Sequence, residues 1–416
     1  MTRYVETRSG PRDYQYYRTA FAGQTMPFAF VDLDALAVNV GQVLSAGNKL
    51  IRIASKSVRS VAILKRIMAY SGEIGPGAPA SSGARFQGLL CFTAPEAVYL
   101  SGQGFDDLVV AYPTWNSRHI SAVARAAQEG GHITLMADSL AHIEQIEAIA
   151  KQCDARIPIC LDIDMASDWP GLHFGVWRSM VRTGDAAGAL AKRIANSKHL
   201  LLDGVMGYEA QIAGLGDHNP GERVKNAATR WLKRRSVNEV ANRRAEVVHA
   251  IEALGCKLRF VNGGGTGSIA TTSSEAVVTE VTVGSAFYAP ALFDRYRDFR
   301  YSPAAGYAIE IVRQPRPDLY TCLGGGYVAS GIGDPSRLPA PWLPEGAALL
   351  PLEGAGEVQT PIRYQGPEKI QLGDPVFMRH SKAGELCEHF TNLLLVSGGG
   401  IVDQVTTYRG DGQCFL

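Results

Sequence analysis

Three groups of residues have types and spacing that could do chemistry. The first is Lys56, in IRIASKSVRS, directly after an apolar run. An amine at the end of a buried strand is partly desolvated, which lowers its pKa and makes it a nucleophile toward carbonyls. The plain alternative is a solvated lysine that opens a helix. The second is VNGGGTGS, Val261 to Ser268. Gly263, Gly264, Gly265 and Gly267 would let backbone N–H groups converge on an anion, and Thr266 and Ser268 add hydroxyls. This is not a Walker A spacing, and a flexible turn is its alternative. The third is LDIDMASDWPGLHFGV (161–176) with GVMGYEAQIAG (204–214), which set Asp162, Asp164, His173, Tyr208 and Gln211 beside apolar runs. Singly, a histidine there reads as structural and an aspartate as a loop cap.

The elements that would position these residues are short apolar runs: 28–33, 49–55, 88–92, 107–112, 132–137, 157–164, 199–208 and 257–264. They are apolar almost throughout, as strands buried on both faces are. Between them lie stretches of helical period, such as 60–72, 94–104, 117–131, 139–153 and 238–255. Eight strands alternating with helices predict an α/β fold, a (β/α)8 TIM-like barrel, with a doubly wound open sheet as the competing topology. In such a barrel the C-terminal strand ends carry the active site. Lys56 would follow strand two, the acidic segment strand six, Tyr208 strand seven and the glycine loop strand eight. After about residue 295 Pro and Gly become dense, and runs such as 308–313, 320–327, 375–381 and 392–405 predict a C-terminal antiparallel β domain. The expected domains are a barrel over 26–295 and a β domain over 296–416, with 1–25 as a segment that could join the latter.

Composition narrows the function. Lys plus Arg is 41 against 40 Asp plus Glu, so nothing electrostatic marks nucleic acid or an anionic membrane as a partner. No apolar run is long enough to span a bilayer, and the charged, tyrosine-rich start lacks the apolar stretch of a secretory signal. Seven scattered cysteines without a CxxC pair fit free thiols in a reducing cytoplasm. Glycine takes 45 of 416 residues, about 11% against roughly 7% in ordinary proteins, with triplets at 263–265, 324–326 and 398–400. The last reads as a hairpin turn.

A Schiff-base lysine opposite an anion cradle implies pyridoxal phosphate, with the aldehyde on Lys56 and the phosphate on the loop. VDLDAL (31–36), the strand-end lysine, TAPEA, GVMGYE and NGGGT followed by EVTVGSAFY (280–288) occur in an order that resembles the alanine racemase N-terminal-domain family, fold type III pyridoxal phosphate enzymes. The likeness is greatest to its D-threonine aldolase and D-serine dehydratase branch and covers about residues 26–410. It implies Lys56 as the aldimine lysine. Gly263, Gly264, Gly265 and Thr266, with Gly284 and Ser285, would form the phosphate cradle, and Tyr208 would line the pocket. His173 stands where the branch more often has Arg near the cofactor ring. In PVFMRHSKAGELCEHF (375–390) the branch carries a metal through His-x-Asp or His-x-Cys. Here Lys382 follows His380, so His380 with Cys387 is the candidate pair, Glu385 and His389 being alternatives, for Zn²⁺ or Mn²⁺. His380 could instead be a metal-free acid or base. The implied activity is a lyase on small β-hydroxy D-amino acids, by retro-aldol cleavage or dehydration. The alternatives are an amino-acid racemase using the same lysine, a non-catalytic pyridoxal phosphate-binding protein, and a barrel lyase using Lys56 without the cofactor. A homodimer is also implied by the resemblance.

Overall fold

A computed structural model of the chain describes residues 12–70 and 86–416. The chain divides into two compact units. One is built from residues 41–56, the described part of 64–284, and 415–416; the other from 12–40, 57–63 and 285–414.

The first unit is a closed barrel of eight parallel strands: Leu50–Ala54, Phe86–Cys91, Leu108–Pro113, Ile133–Ala137, Ile157–Asp162, Leu200–Gly207, Phe260–Gly263 and Glu280–Val283. The last pairs with the first, Glu280 opposite Leu50 and Val283 opposite Ile53, and so closes the ring. Val109, Met136, Cys160, Met206 and Phe260 fill the interior together with Leu90. The helices begin where short polar side chains accept from their first turn. Thr93 accepts from the Glu96 N–H while Glu96 Oε2 accepts from the Phe92 N–H at 2.7 Å. TAPEA is therefore a capping box that fixes the helix Ala94–Gly102. Asn116, Ser139 and Thr183 cap the next three helices in the same way.

The barrel is not apolar throughout. Arg52, fully buried in the first strand, gives Nε to Glu280 Oε1 at 2.6 Å and Nη2 to Oε2 at 2.8 Å. Its Nη2 also reaches Asp107 at 3.1 Å, and Asn262 Nδ2 donates to Glu280 at 2.8 Å. The Arg52 and Arg259 guanidiniums hold the Asp107 carboxyl below its usual pKa despite burial that pushes it up.

The second unit holds a nine-stranded sheet. Its main path runs Ala348–Leu349, Gln359–Arg363, Leu319–Leu323, Ala305–Arg316, Phe28–Asp32, Asn392–Ser397 and Gly400–Thr406. Pro375–Arg379 pairs with both Ala305–Arg316 and Ala340–Leu343. Every pairing is antiparallel except Phe28–Asp32 with Asn392–Ser397. The run 28–33, expected to open the barrel, is thus a central strand of this sheet. The true eighth barrel strand is the short Glu280–Val283, so Lys56 follows barrel strand one and the glycine loop follows strand seven. The sheet unit resumes at Ser285 rather than at 296. The helix Tyr14–Ala20 belongs to it and buries Tyr14 and Tyr17, whose hydroxyls donate to Pro375 O at 3.0 Å and Asp32 Oδ2 at 2.8 Å.

The other two glycine triplets have local causes. Gly398 and Gly399, at φ +60° and +83°, make the turn between Asn392–Ser397 and Gly400–Thr406. At Gly326 an added Cβ would lie 2.3 Å from the Gly356 carbonyl carbon, so this triplet permits backbone to pass against backbone within the sheet unit.

Candidate active site at the barrel mouth

Lys56 lies in a single 3₁₀ turn, Ser55–Ser57, immediately beyond the first barrel strand, and its side chain is exposed at the strand's C-terminal end. On the same rim, Asp162 ends the fifth strand with 1% exposure. Its Oδ2 accepts from Arg178 Nε at 2.8 Å, while its Oδ1 is buried without a hydrogen-bond partner. Burial pushes the Asp162 carboxyl up to about 7, against the opposing pull of Arg178. Arg178 also donates to the Ala111 carbonyl and lies over the Tyr112 ring, 4.9 Å from its centroid. Tyr112, near the end of the third strand, is 44% exposed. The Lys56 charge, and then Arg178, hold its phenol below the usual value against the opposing effect of burial. Tyr208, after the sixth strand, is pushed up by burial to about 12.

The glycine loop is held from beneath by a buried ion network. Glu209 accepts from Gly264 N–H at 3.2 Å, Ser268 Oγ at 2.7 Å, the Thr272 hydroxyl and Arg244 Nη2 at 2.9 Å. Arg244, fully buried on the helix Arg223–Glu252, also pairs with Glu275 and donates to Gly207 O. Gly265 N–H donates to Ser268 Oγ and Gly267 N–H to Ala213 O. The amides of Gly264, Gly265 and Gly267 are therefore engaged within the chain. A Cβ at Gly263 would lie 2.9 Å from Arg244 Nη2, and one at Gly265 2.8 Å from Ala213 Cβ and 3.2 Å from Tyr208 Cε2. Thr266 is buried at the loop's tip, and Gly284 follows the eighth strand.

His173 is not among these groups. It sits in the hairpin of Ser167–Trp169 and Leu172–Phe174, bonded through Nδ1 to Asp168 at 2.7 Å and stacked on Trp177 at 3.8 Å. Trp177 is 86% exposed, so the stack faces solvent. The arginine that reaches the mouth is Arg178, which the sequence reading missed. Its signal was its place as one of two arginines, Arg178 and Arg182, that follow shortly after the carboxylates of strand end 157–164. Gln211 donates to Met165 O at 2.6 Å and Asp164 pairs with Arg182 at 3.2 Å, so both serve the loops.

In the sheet unit, His380 is buried with no hydrogen-bond partner of ordinary geometry on either ring nitrogen, though the Ala383 amide lies near the ring. Burial pushes it down to about 4, which keeps it neutral. The Cys387 thiol donates to Val58 O at 3.3 Å, and burial raises it to about 12. Lys382 points its ammonium at Ser330, 3.3 Å from the carbonyl oxygen, and the Ser330 hydroxyl and N–H both donate to Glu385. Among the described residues no three His, Cys, Asp or Glu side chains converge. The neutral His380 imidazole is itself a competent ligand, but a protonated thiol and an ammonium are not, so among the described residues the expected pair His380 and Cys387 lacks a completed donor set.

The closed barrel with a lysine at its mouth belongs to the class of TIM-like (β/α)8 proteins. The family follows from the chain itself: residues 31–291 match the model of the family described as alanine racemase, N-terminal domain, and the chain belongs to that family. A 3-hydroxy-D-aspartate aldolase of Paracoccus denitrificans (strain Pd 1222) is 25% identical over 275 residues, which span 65% of this chain but 62% of that relative. In fold the chain is similar to D-threonine aldolase from Filomicrobium marinum, with TM-score 0.75 and 18% identity over 94% of this chain and 96% of the other. It is also similar to D-threo-3-hydroxyaspartate dehydratase from Delftia sp. HT23, with TM-score 0.69 and 17% identity over 95% and 99%. None of the seven cysteines, all of them described, is in a disulfide. Among the described residues no helix is long and apolar enough to cross a membrane.

Proposed function

We propose that this chain is a pyridoxal phosphate-dependent lyase that cleaves small β-hydroxy D-amino acids by the retro-aldol route. The observation that carries this reading is the exposed Lys56 amine on one barrel rim with the Asp162–Arg178 pair and Tyr112. The residues suit the cofactor. Among the described residues Asp162 leaves a buried oxygen without a partner, beside the guanidinium of Arg178 that its other oxygen holds. Lys56 would hold the aldehyde carbon. Arg178, rather than His173, would face the ring oxygen, with Asp162 fixing its orientation. Thr266 and Gly284 would receive the phosphate, and Tyr208 would bound the ring. When bound, pyridoxal phosphate supplies an electron sink for the pair left on the substrate's α-carbon. The names of the Paracoccus and Filomicrobium proteins support the substrate class.

We take retro-aldol cleavage over dehydration on the supporting ground of a phenol, Tyr112, at the barrel mouth. Expelling hydroxide calls for a strong acid or a Lewis acid at the β-oxygen, whereas cleavage asks only for a proton acceptor there. Among the described residues no three His, Cys, Asp or Glu side chains converge, and we take His380 as a metal-free group. Incubation with D-threonine tests the reading: acetaldehyde and glycine are expected, with a cofactor absorbance band that Lys56→Ala abolishes together with turnover. Ammonia with a 2-oxoacid, or L-threonine alone, would refute the cleavage. A Lys56→Ala variant of full activity would refute the role of the lysine.

A further inference from the structure

We propose that Tyr112 is the catalytic group that accepts the β-hydroxyl proton in the cleavage step, resting on the reading of the barrel mouth given above. Retro-aldol cleavage breaks the β-oxygen–hydrogen bond. That bond's electron pair becomes the second carbon–oxygen bond of the aldehyde, the Cα–Cβ bond breaks, and its pair stays on Cα. The proton must go to a base beside the β-oxygen. It is later returned to Cα to give glycine, so that threonine becomes acetaldehyde and glycine with no other reactant.

Three observations place Tyr112 in this role. It sits near the C-terminal end of the third barrel strand, on the same rim as Lys56 beyond the first. It is 44% exposed, so substrate can reach its oxygen without displacing the core. Its ring lies against the Arg178 guanidinium, which Asp162 and the Ala111 carbonyl hold in place. The charges that face the phenol are Lys56 from the first strand, Arg178 from the segment after the hairpin and Asp162 from the fifth strand, with the Tyr208 hydroxyl after the sixth. The two cations favour the phenolate; the Asp162 carboxylate opposes it. The phenol is lowered on balance, chiefly by Lys56. Tyr208 is the other phenol at the mouth, and burial raises it to about 12, so it keeps its proton.

The phenol can be observed without turnover. Tyrosinate absorbance of the full chain, titrated with pH, should contain one tyrosine that ionises below the ordinary value of about 10. This component stands apart because Tyr14, Tyr17, Tyr288, Tyr301 and Tyr307 are all pushed up by burial. Tyr112→Phe should remove the component, and Lys56→Met should move it upward. With pyridoxal phosphate bound, Tyr112→Phe should keep the wild-type absorbance band yet cleave D-threonine about 10² to 10⁴-fold more slowly, the usual contribution of general acid–base catalysis. The acidic limb of its kcat/KM profile should also vanish, since the wild-type rate rises as the phenol loses its proton. A titration of Tyr112→Phe that superimposes on wild type, or cleavage within twofold of wild type, overturns this assignment alone. A wild-type chain that forms no cofactor band and cleaves nothing overturns the proposed function with it.

Discussion

Replacing Asp162 with Asn should change the pH dependence of stability in a defined direction. Asp162 is 1% exposed, and its carboxyl is raised to about 7 by burial, from an ordinary value near 4. Between those two values the unfolded chain has an ionised Asp162, whereas the folded chain keeps it protonated. The folded state therefore binds the extra proton, and the stability this group contributes is present in full below about pH 4 and is lost as pH rises through about 7. A raise of about three units, at about 1.4 kcal/mol each, amounts to about 4 kcal/mol over that window. The introduced asparagine would be neutral throughout, and its side-chain oxygen could still accept from Arg178. The stability difference between wild type and Asp162→Asn should thus move by about 4 kcal/mol in the variant's favour between pH 4 and 8. Denaturant unfolding of the cofactor-free chain and the variant, in parallel at half-unit pH steps, measures it, because titrations shared by both proteins cancel in the difference. A difference flat to within about 1 kcal/mol, or one that moves against the variant as pH rises, would refute the burial argument for Asp162.

Arg52→Met should destabilise the barrel by about 3–5 kcal/mol, because Glu280 would be left buried with Asn262 as its one remaining hydrogen-bond partner among the described residues. Adding Glu280→Gln should restore at least half of that loss in the same melts, and a double variant as unstable as the single would disprove the pairing argument. Treatment with a chelator, followed by dialysis, should leave D-threonine cleavage within twofold of its starting rate, because His380, Lys382 and Cys387 do not form a cation site. Loss of activity that Mn²⁺ or Zn²⁺ restores would show that a metal site is completed by other donors.

The apolar strand signal identified seven of the eight barrel strands, because most strands buried on both faces are apolar along most of their length. It failed at the closing strand for a physical reason. Glu280 and Thr282 point into the barrel, where Arg52 and Asn262 pair with them, so a fully interior strand carries polar letters. It failed at 28–33 because that run is as apolar as a barrel strand. Its partners, Ala305–Arg316 and Asn392–Ser397, lie some 280 and 360 residues further along the chain, and pairing at that separation leaves no local mark.

The site shows the same division between what neighbours decide and what distant contacts decide. Lys56 was legible because a charged residue directly follows an apolar strand. The same rule applies to Tyr112, which ends DLVVAY, but a phenol is ordinarily protonated near neutral pH and its type alone carries no signal. Its activation comes from Lys56 and Arg178, residues brought beside it by folding. Arg178 itself was hidden because the hairpin 167–174 intervenes between Asp162 and the guanidinium it holds, and because that hairpin contains His173, a residue of the expected kind in nearly the expected place. The hairpin spends His173 on Asp168 and Trp177 at the surface, and the chain then turns back to deliver Arg178 to the buried carboxylate of Asp162. An isolated buried carboxylate is the costlier group to leave unpaired, so Asp162 rather than the histidine is what marks the position of the functional arginine.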